Sequence, residues 1–404
     1  MENAEKLIRA QIDRIIPNIT KGLGKQRDHC DYKLSVPNGS FFMSSLFMLT
    51  IRYGDDKEET VKLVLKLPAA CEDIRNITSQ DRQFHNEIIF YEEFAKDSSD
   101  FPKCVASKAS PSEYFIVLED LSVKGYSLCP QKYNCPLEFV LCTMHEIGRF
   151  HAKGYTMKQN NQDKFLKMVS KFKECRYEHL NTEQFRFDTF LNLITPRAVR
   201  FLRSRGYDTN FCDKMEMFLS NTFENVMLKS VKPVEPLATL CHGDLTANNI
   251  LFKRDDSNNL KAILLDFALV RYSSPAIDLT TFLCLCCSNE LRRAKFSDIF
   301  HCYYDSLKEC LQESGIQDFE KYSFDNLLKD YKERILFGFV IATFYLPILM
   351  GYGTVPVEDI MKLTIEENVK ISSTFGGDKM SEILAQMLLE FRDYGCLDYI
   401  LQQD

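Results

Sequence analysis

The sequence predicts an α+β fold in two lobes: a small antiparallel β-sheet lobe with helices over residues 1–120, and a larger, mainly helical lobe over residues 121–404. Three observations carry this expectation. Apolar runs of strand length, set off by short polar turns, are concentrated between residues 40 and 119. From residue 136 onward apolar residues recur at helical spacing. No Pro/Ser-rich linker interrupts the chain, and 404 residues suffice for two lobes that work as one unit.

The elements follow in order. Ala4, Leu7, Ile8, Gln11, Ile12, Ile15 and Ile16 lie at helical spacing, and Pro17 is expected to stop that helix. Residues 40–53 and 60–67 read as strands around a polar turn at Gly54-Asp55-Asp56, with Lys66 at the end of the second. Residues 80–96 read as a helix containing Glu87, and residues 113–119 as a further strand. Pro136 suits a first helical position; Leu137, Val140, Leu141, Met144, Ile147, Gly148 and His151 then mark one face, with Gly154 as the expected C-terminal cap. Residues 157–230 should hold two or three amphipathic helices. A strand–loop–strand segment follows, and helices run on to the C-terminus. Ile335 to Gly351 is almost free of charge, but it is shorter than the roughly 20 residues of a membrane span. Pro347 also interrupts it, so it reads as a buried helix ending near that proline.

Composition excludes several classes. The chain is 45% apolar and 26% charged, which is ordinary for a globular protein. A net charge of −7, with no basic stripe carrying stacking aromatics, argues against nucleic acid as a partner. The 15 cysteines form no regular framework, and Met1-Glu2-Asn3-Ala4-Glu5-Lys6 carries charges where a signal peptide needs an apolar core. Reduced thiols in a cytoplasmic monomer are therefore expected. Cys284-Leu285-Cys286-Cys287 lacks the spaced partners of a zinc site and reads as buried helix cysteines.

The chemistry is concentrated in two segments, His242-Gly243-Asp244-Leu245-Thr246-Ala247-Asn248-Asn249-Ile250-Leu251-Phe252 and Ile263-Leu264-Leu265-Asp266-Phe267. Phosphoryl transfer calls for such a set. One carboxylate accepts a hydrogen bond from the acceptor hydroxyl, and an Asn and a second carboxylate hold Mg²⁺ on the phosphates of ATP. Protein kinases write it H-R-D-x-x-x-x-N, then D-F-G. Here Gly243 replaces the Arg and Ala268 the last Gly.

This wording resembles the small-molecule kinases built on the protein-kinase-like fold, the aminoglycoside and choline kinase group. Within it, more of the chain resembles the ecdysteroid kinase-like family. The supporting strings are Lys66-Leu67-Pro68, Phe84-x-x-Glu87-x-x-Phe90-Tyr91, Val117-Leu118-Glu119-Asp120-Leu121, Phe150-His151-Ala152 and Arg271-Tyr272-Ser273-Ser274-Pro275-Ala276-Ile277-Asp278-Leu279.

The resemblance implies an ATP- and Mg²⁺-dependent kinase for a small-molecule hydroxyl, an ecdysteroid or a plant or xenobiotic alcohol. Lys66 would bind the α- and β-phosphates and pair with Glu87. Glu119, Asp120 and Leu121 would form the nucleotide-binding connector between the lobes. Asp244 would be the catalytic carboxylate, and Asn249 and Asp266 the Mg²⁺ ligands. Asn248 falls outside the five-residue spacing. His242 would brace the loop, and His151 would be a satisfied core histidine. Asp278 would cap the following helix and tie to the catalytic loop.

Two departures bear on function. In the phosphate loop Gly39, Phe42 and Ser44 line up with the family pattern, but Phe41 stands where Asn is expected. Thr246 fills a position often held by His or Trp, which bears on the acceptor pocket. A protein kinase is disfavoured, because Asp266 to Asp278 is too short for a regulated activation loop and lacks Ala-Pro-Glu. A kinase-like protein that binds nucleotide or ligand without efficient turnover remains the alternative.

Overall fold

A computed structural model describes residues 2–24, 30–36, 44–53, 59–96, 98–110, 113–177, 186–353, 355, 357–360 and 363–402. The chain divides into two compact units, residues 1–127 and 128–404. Its architecture is α+β, with strands in antiparallel sheets and most of the helices in the second unit.

The first unit is built on five antiparallel strands: β1 (Asp31–Ser35), β2 (Ser45–Tyr53), β3 (Glu59–Leu67), β4 (Cys104–Ser110) and β5 (Glu113–Glu119), in the order β1-β2-β3-β5-β4. Alternation along the strands gives the sheet two faces. Phe47, Leu49, Ile51, Leu63, Leu65, Leu67 and Val117 pack on one side with Ile12, Ile15, Ile16 and Ile19 of helix α1 (Glu2–Gly22). Pro17 does not stop α1, contrary to expectation; the helix runs five residues further. Burial of Ile19 and Thr20 outweighs the hydrogen bond that proline cannot donate.

The opposite face of the sheet carries Lys66 and its cross-strand partner Ile116. There Ile116 packs with Phe84 and Ile88 of α3 (Gln80–Ile89), which follows the short helix α2 (Glu72–Ile77). The expected helix over 80–96 is thus α-helical only to Ile89, and a π-helical turn, Phe90–Phe94, completes it. That turn buries Phe90, Tyr91 and Phe94, with Phe101 against Phe90 at 5.1 Å.

The second unit opens with the short strand β6 (Ser127–Leu128), which straddles the unit boundary, and α4 (Leu137–Asn160). Gly154 lies inside α4 rather than capping it. A Cβ there would sit 2.4 Å from Thr239 Oγ1, so glycine serves close approach of the helix to the next strand. Between 157 and 230 the structure has more helices than the two or three expected: α5 (Gln162–Val169), α6 (Phe187–Ile194), α7 (Arg197–Ser204), α8 (Thr209–Leu219) and α9 (Leu228–Val231). Asn161 and Asp208 cap new starts by accepting from the Lys164 and Phe211 N–H groups, and Pro196 precedes α7.

The motif-bearing segment is a strand, a loop and a hairpin. β7 (Thr239–Cys241) leads into residues 242–249, which end in a 3₁₀ turn; β8 (Ile250–Arg254) and β9 (Leu260–Leu264) follow as an antiparallel pair. β10 (Arg271–Ser273) returns antiparallel to β7, with Arg271 opposite Cys241. Beyond it lie α10 (Ala276–Cys286), α11 (Asn289–Glu313), α12 (Phe324–Leu349), α13 (Val357–Ile360), α14 (Ile365–Ser372), α15 (Gly377–Asp393) and α16 (Asp398–Leu401). Cys284, Cys286 and Cys287 are buried at the end of α10. α12 ends two residues past Pro347, and among the described residues no helix is long and apolar enough to cross a membrane.

Candidate active site

In the first unit, alternation along β3 turns Lys66 toward α3, where its Nζ lies 2.6 Å from Glu87 Oε2. Both are buried, Lys66 at 8% and Glu87 at 1% exposure, so each charge offsets part of the other's desolvation. The Phe84 ring, one turn before Glu87, lies 5.8 Å from the ammonium. The connector residues are tied down locally. Glu119 accepts the Lys103 N–H at 3.0 Å and pairs with Lys124. Asp120 accepts the Ser122 N–H at 2.9 Å, starting a 3₁₀ turn over Leu121–Lys124 that buries Leu121. Ser44 is half-buried immediately before β2, and Gly39 lies outside the described residues.

In the second unit the loop after β7 is held from beneath. Asp278, in the first turn of α10, accepts the N–H of His242 at 2.6 Å with one oxygen and that of Gly243 at 2.8 Å with the other. His151 on α4 donates from Nε2 to the same carboxylate at 3.1 Å, and its Nδ1 meets the Tyr303 hydroxyl at 3.0 Å. Burial alone would raise the Asp278 carboxyl, but His151 and the Gly243 N–H outweigh it and hold the group below the usual carboxylate range. Asp278 therefore binds the loop without capping its helix; Ser274 Oγ takes the Ala276 N–H.

His151, Cys241 and Asp278 bring ligand-type atoms within 4.8 Å of one another, as a metal site would. Each is otherwise engaged. Cys241 Sγ contacts the Ser273 and Ser274 carbonyls, and burial pushes its thiol well up, so it stays protonated. The cluster is a structural brace.

Gly243 has φ +82°, and a Cβ there would lie 2.0 Å from the Leu269 carbonyl oxygen. No side chain fits, which explains glycine where protein kinases carry Arg. His242 donates from Nε2 to the Leu265 carbonyl at 2.8 Å and accepts the Asp244 N–H on Nδ1 at 3.3 Å, so the neutral Nε2–H tautomer suits both contacts. Its ring lies 4.8 Å from Phe267. One imidazole thus spans both motif segments.

Asn249 closes the loop onto Asp244. Its Nδ2 donates to the Asp244 carbonyl at 2.8 Å and to Asp244 Oδ2 at 3.2 Å. That orientation leaves Oδ1 as the atom Asn249 can offer a hard cation. The Asn249 carbonyl accepts the Leu265 N–H at 2.8 Å, which joins it to the residue before Asp266. Asp266 holds φ +62°, in the left-handed region, and its Oδ1 accepts the Ala268 N–H at 3.4 Å. An amide oxygen and a carboxylate on joined backbone fit the oxygen preference of Mg²⁺. Asn248 instead lies near Tyr345, whose hydroxyl is pushed up to about 12 by burial and then by the Asp244 charge. Thr246 is buried, and its carbonyl accepts the Asn249 N–H at 2.9 Å.

A further cluster had no signal in the sequence. Arg176 Nη1 lies 3.9 Å from Asp244 Oδ1. The turn that presents it is wound on Glu174, whose Oε1 accepts the N–H groups of Cys175, Arg176 and Tyr177 at 2.8, 2.7 and 3.0 Å. Arg271 of β10 clamps the same carboxylate with two bonds, 2.9 and 3.0 Å. Burial raises the Glu174 carboxyl, but Arg271 and the backbone donors bring it below its ordinary value. The Arg271 guanidinium also lies 4.9 Å from the Tyr177 ring centre. Arg271 belongs to a string quoted above; Glu174 and Arg176 belong to none.

Comparison with known proteins adds the following. A sequence model of the ecdysteroid kinase-like family matches residues 38–316. No curated protein matches the chain. Among solved structures, a Plasmodium vivax ethanolamine kinase aligns over 90% of this chain and 83% of its own, at 13% identity and TM-score 0.43. A microcompartment-associated aminopropanol kinase aligns over 92% and 94%, at 11% identity and TM-score 0.45. A GDP complex of wild-type aminoglycoside 2'-phosphotransferase-IIIa aligns over 89% and 97%, at 11% identity and TM-score 0.40.

Proposed function

The chain belongs to the ecdysteroid kinase-like family, and from that premise we propose that it transfers the γ-phosphoryl group of ATP, with Mg²⁺, to a hydroxyl of a small molecule. Family membership carries the coarse class, a kinase-like phosphotransferase. The observation that supports the chemistry is the Asn249–Asp244 contact at 3.2 Å, made on a loop whose backbone Asp278 holds. It joins an acceptor-orienting carboxylate to an amide that presents an oxygen for a cation.

Each residue has a role in this reading. Lys66, steadied by Glu87, holds the nucleotide phosphates. Asp244 orients the acceptor hydroxyl and takes its proton late in the transfer. Asn249 and Asp266 hold Mg²⁺, which when bound neutralises charge on the phosphates. His242, His151 and Asp278 keep the loop in shape. The connector from Glu119 to Leu121 takes the rest of the nucleotide, together with Gly39 and Ser44.

For the acceptor we propose a neutral alcohol, an ecdysteroid or a xenobiotic or plant alcohol. The groups near the Asp244 carboxylate include Asn249, Arg176 and the ring of Tyr345, and the nearby carboxylate of Glu174 is neutralised by Arg271. A cation and aromatic rings suit an uncharged ring system better than a polyamine. Fifteen free thiols support a cytoplasmic location, and we read the protein as a monomer that binds no nucleic acid.

The test is ATP consumption with Mg²⁺ across steroids, sugars, amino alcohols and plant phenolics, against Asp244→Asn. Turnover that the variant loses establishes the kinase and names its acceptor class. Nucleotide binding without turnover on any acceptor would favour the non-catalytic alternative.

A further inference from the structure

We propose that Arg176 is a catalytic residue of this site, one that binds the acceptor oxygen opposite Asp244; the proposal rests on the kinase reading above. The two oxygens of Asp244 are not equivalent. Oδ2 takes the Asn249 amide at 3.2 Å, whereas Oδ1 faces Arg176 Nη1 across 3.9 Å. That gap is too long for a direct hydrogen bond, and both side chains are about one-third exposed, within reach of a ligand. An oxygen at ordinary hydrogen-bond distance, about 2.8 Å, from both atoms subtends roughly 90° across their 3.9 Å separation. A hydroxyl can occupy that point, donating its hydrogen to Oδ1 and accepting one from Nη1.

The position of Arg176 is built. Three successive N–H groups converge on Glu174 Oε1, and Arg271 locks that carboxylate from a strand paired to β7, which leads into the catalytic loop. A surface arginine that met Asp244 by chance would need no such support.

The transfer step follows. The acceptor oxygen forms a bond to the γ-phosphorus as the bond from that phosphorus to the β–γ bridging oxygen breaks, and ADP leaves with the electron pair. The hydroxyl proton passes to Asp244. The acceptor oxygen becomes the ester oxygen of the product, still beside Arg176, whose N–H and positive charge stabilise the negative charge carried by the transferred phosphoryl group. Lysine cannot replace it fully, because an ammonium is a point charge without the planar, directed N–H groups of a guanidinium.

The experiment measures kcat and KM for ATP and for whichever acceptor the wild type phosphorylates, in Arg176→Met, Arg176→Lys and Arg176→Ala. Expected for Arg176→Met is a fall in kcat on the order of 10²-fold, with KM for ATP and the thermal midpoint unchanged. Arg176→Lys should recover part of the loss. Added methylguanidinium should restore turnover to Arg176→Ala and leave Arg176→Met unaffected. A wild type that turns over, with Arg176→Met retaining its kcat, would overturn the role of Arg176 and leave the kinase reading standing. Loss of turnover in Arg176→Ala without rescue, accompanied by a lowered thermal midpoint, would also overturn it, in favour of a purely structural arginine. A wild type with no turnover on any acceptor would overturn both.

Discussion

Asp278 accepts the backbone N–H of Gly243 at 2.8 Å through Oδ1 while its Oδ2 takes that of His242. The loop over residues 242–249 therefore rests on a charge buried to 1% exposure, held by donors on three sides. Asp278→Asn keeps the shape but turns an N–H₂ toward an N–H. The expected cost is about 2–4 kcal/mol of stability, with turnover falling as the loop loosens. The pH dependence has a definite sign. The folded carboxyl lies below its ordinary value, so its stabilisation is present above the unfolded pKa of about 3.9 and is lost as pH falls through the lower folded value. Urea denaturation of wild type and Asp278→Asn should show a constant gap above roughly pH 5 that closes below about pH 4. A gap unchanged at pH 3 would show that charge is not what Asp278 contributes.

Gly243→Ala tests the loop from the other side. Alanine pays for a positive φ and meets the Leu269 carbonyl at 2.0 Å, so the backbone has to shift. A loss of at least about 2 kcal/mol and near-complete loss of turnover are expected, read by thermal melting and the ATP assay. An alanine variant with wild-type kinetics would mean that the loop tolerates displacement of Asp244.

The Lys66–Glu87 pair invites a double-mutant cycle. Lys66→Met takes the cation from beside a carboxylate at 1% exposure, and a cost of about 3–5 kcal/mol is expected. Removing the carboxylate as well, in Lys66→Met with Glu87→Met, should return most of that stability, because the buried charge is gone. Nucleotide affinity should stay low in both. Recovery of stability without recovery of ATP binding would separate the structural use of the pair from its functional one. Recovery of both would mean that phosphate does not need Lys66.

How much of this was legible in the sequence depends on the distance over which each signal acts. The pairing of Lys66 with Glu87 comes from the family resemblance, because Glu92 and Glu93 lie close by in the sequence and only the Phe-x-x-Glu-x-x-Phe-Tyr string chooses among them. The 242–249 loop is compact enough for its spacing to carry its meaning. Pro17 and Gly154 misled because a local signal met a tertiary demand, burial of Ile19 in one case and the approach of α4 to Thr239 in the other. Arg176 was illegible for the opposite reason. Glu174 and Arg271 are 97 positions apart, and although Arg271 lies in a quoted string, neither Glu174 nor Arg176 does. The fold alone brings them to Asp244.

Asp266 combines two demands that mutation can separate. Its backbone sits at φ +62°, and its carboxylate is a proposed Mg²⁺ ligand. Left-handed backbone suits Gly, is tolerated by Asn and Asp, and is costly for a β-branched residue. Stability should therefore rank Asp266→Gly and Asp266→Asn near the wild type, and Asp266→Val lower by about 1–3 kcal/mol. Turnover should follow a different order, lost in all three, because none offers an anionic oxygen to the cation. Thermal melting and Mg²⁺-dependent ATP consumption on the same three proteins give both rankings. Turnover surviving in Asp266→Asn would move the metal-binding role elsewhere. A stable Asp266→Val would mean that the left-handed turn relaxes at no cost, and strain at this residue would then have no part in holding the segment that follows β9.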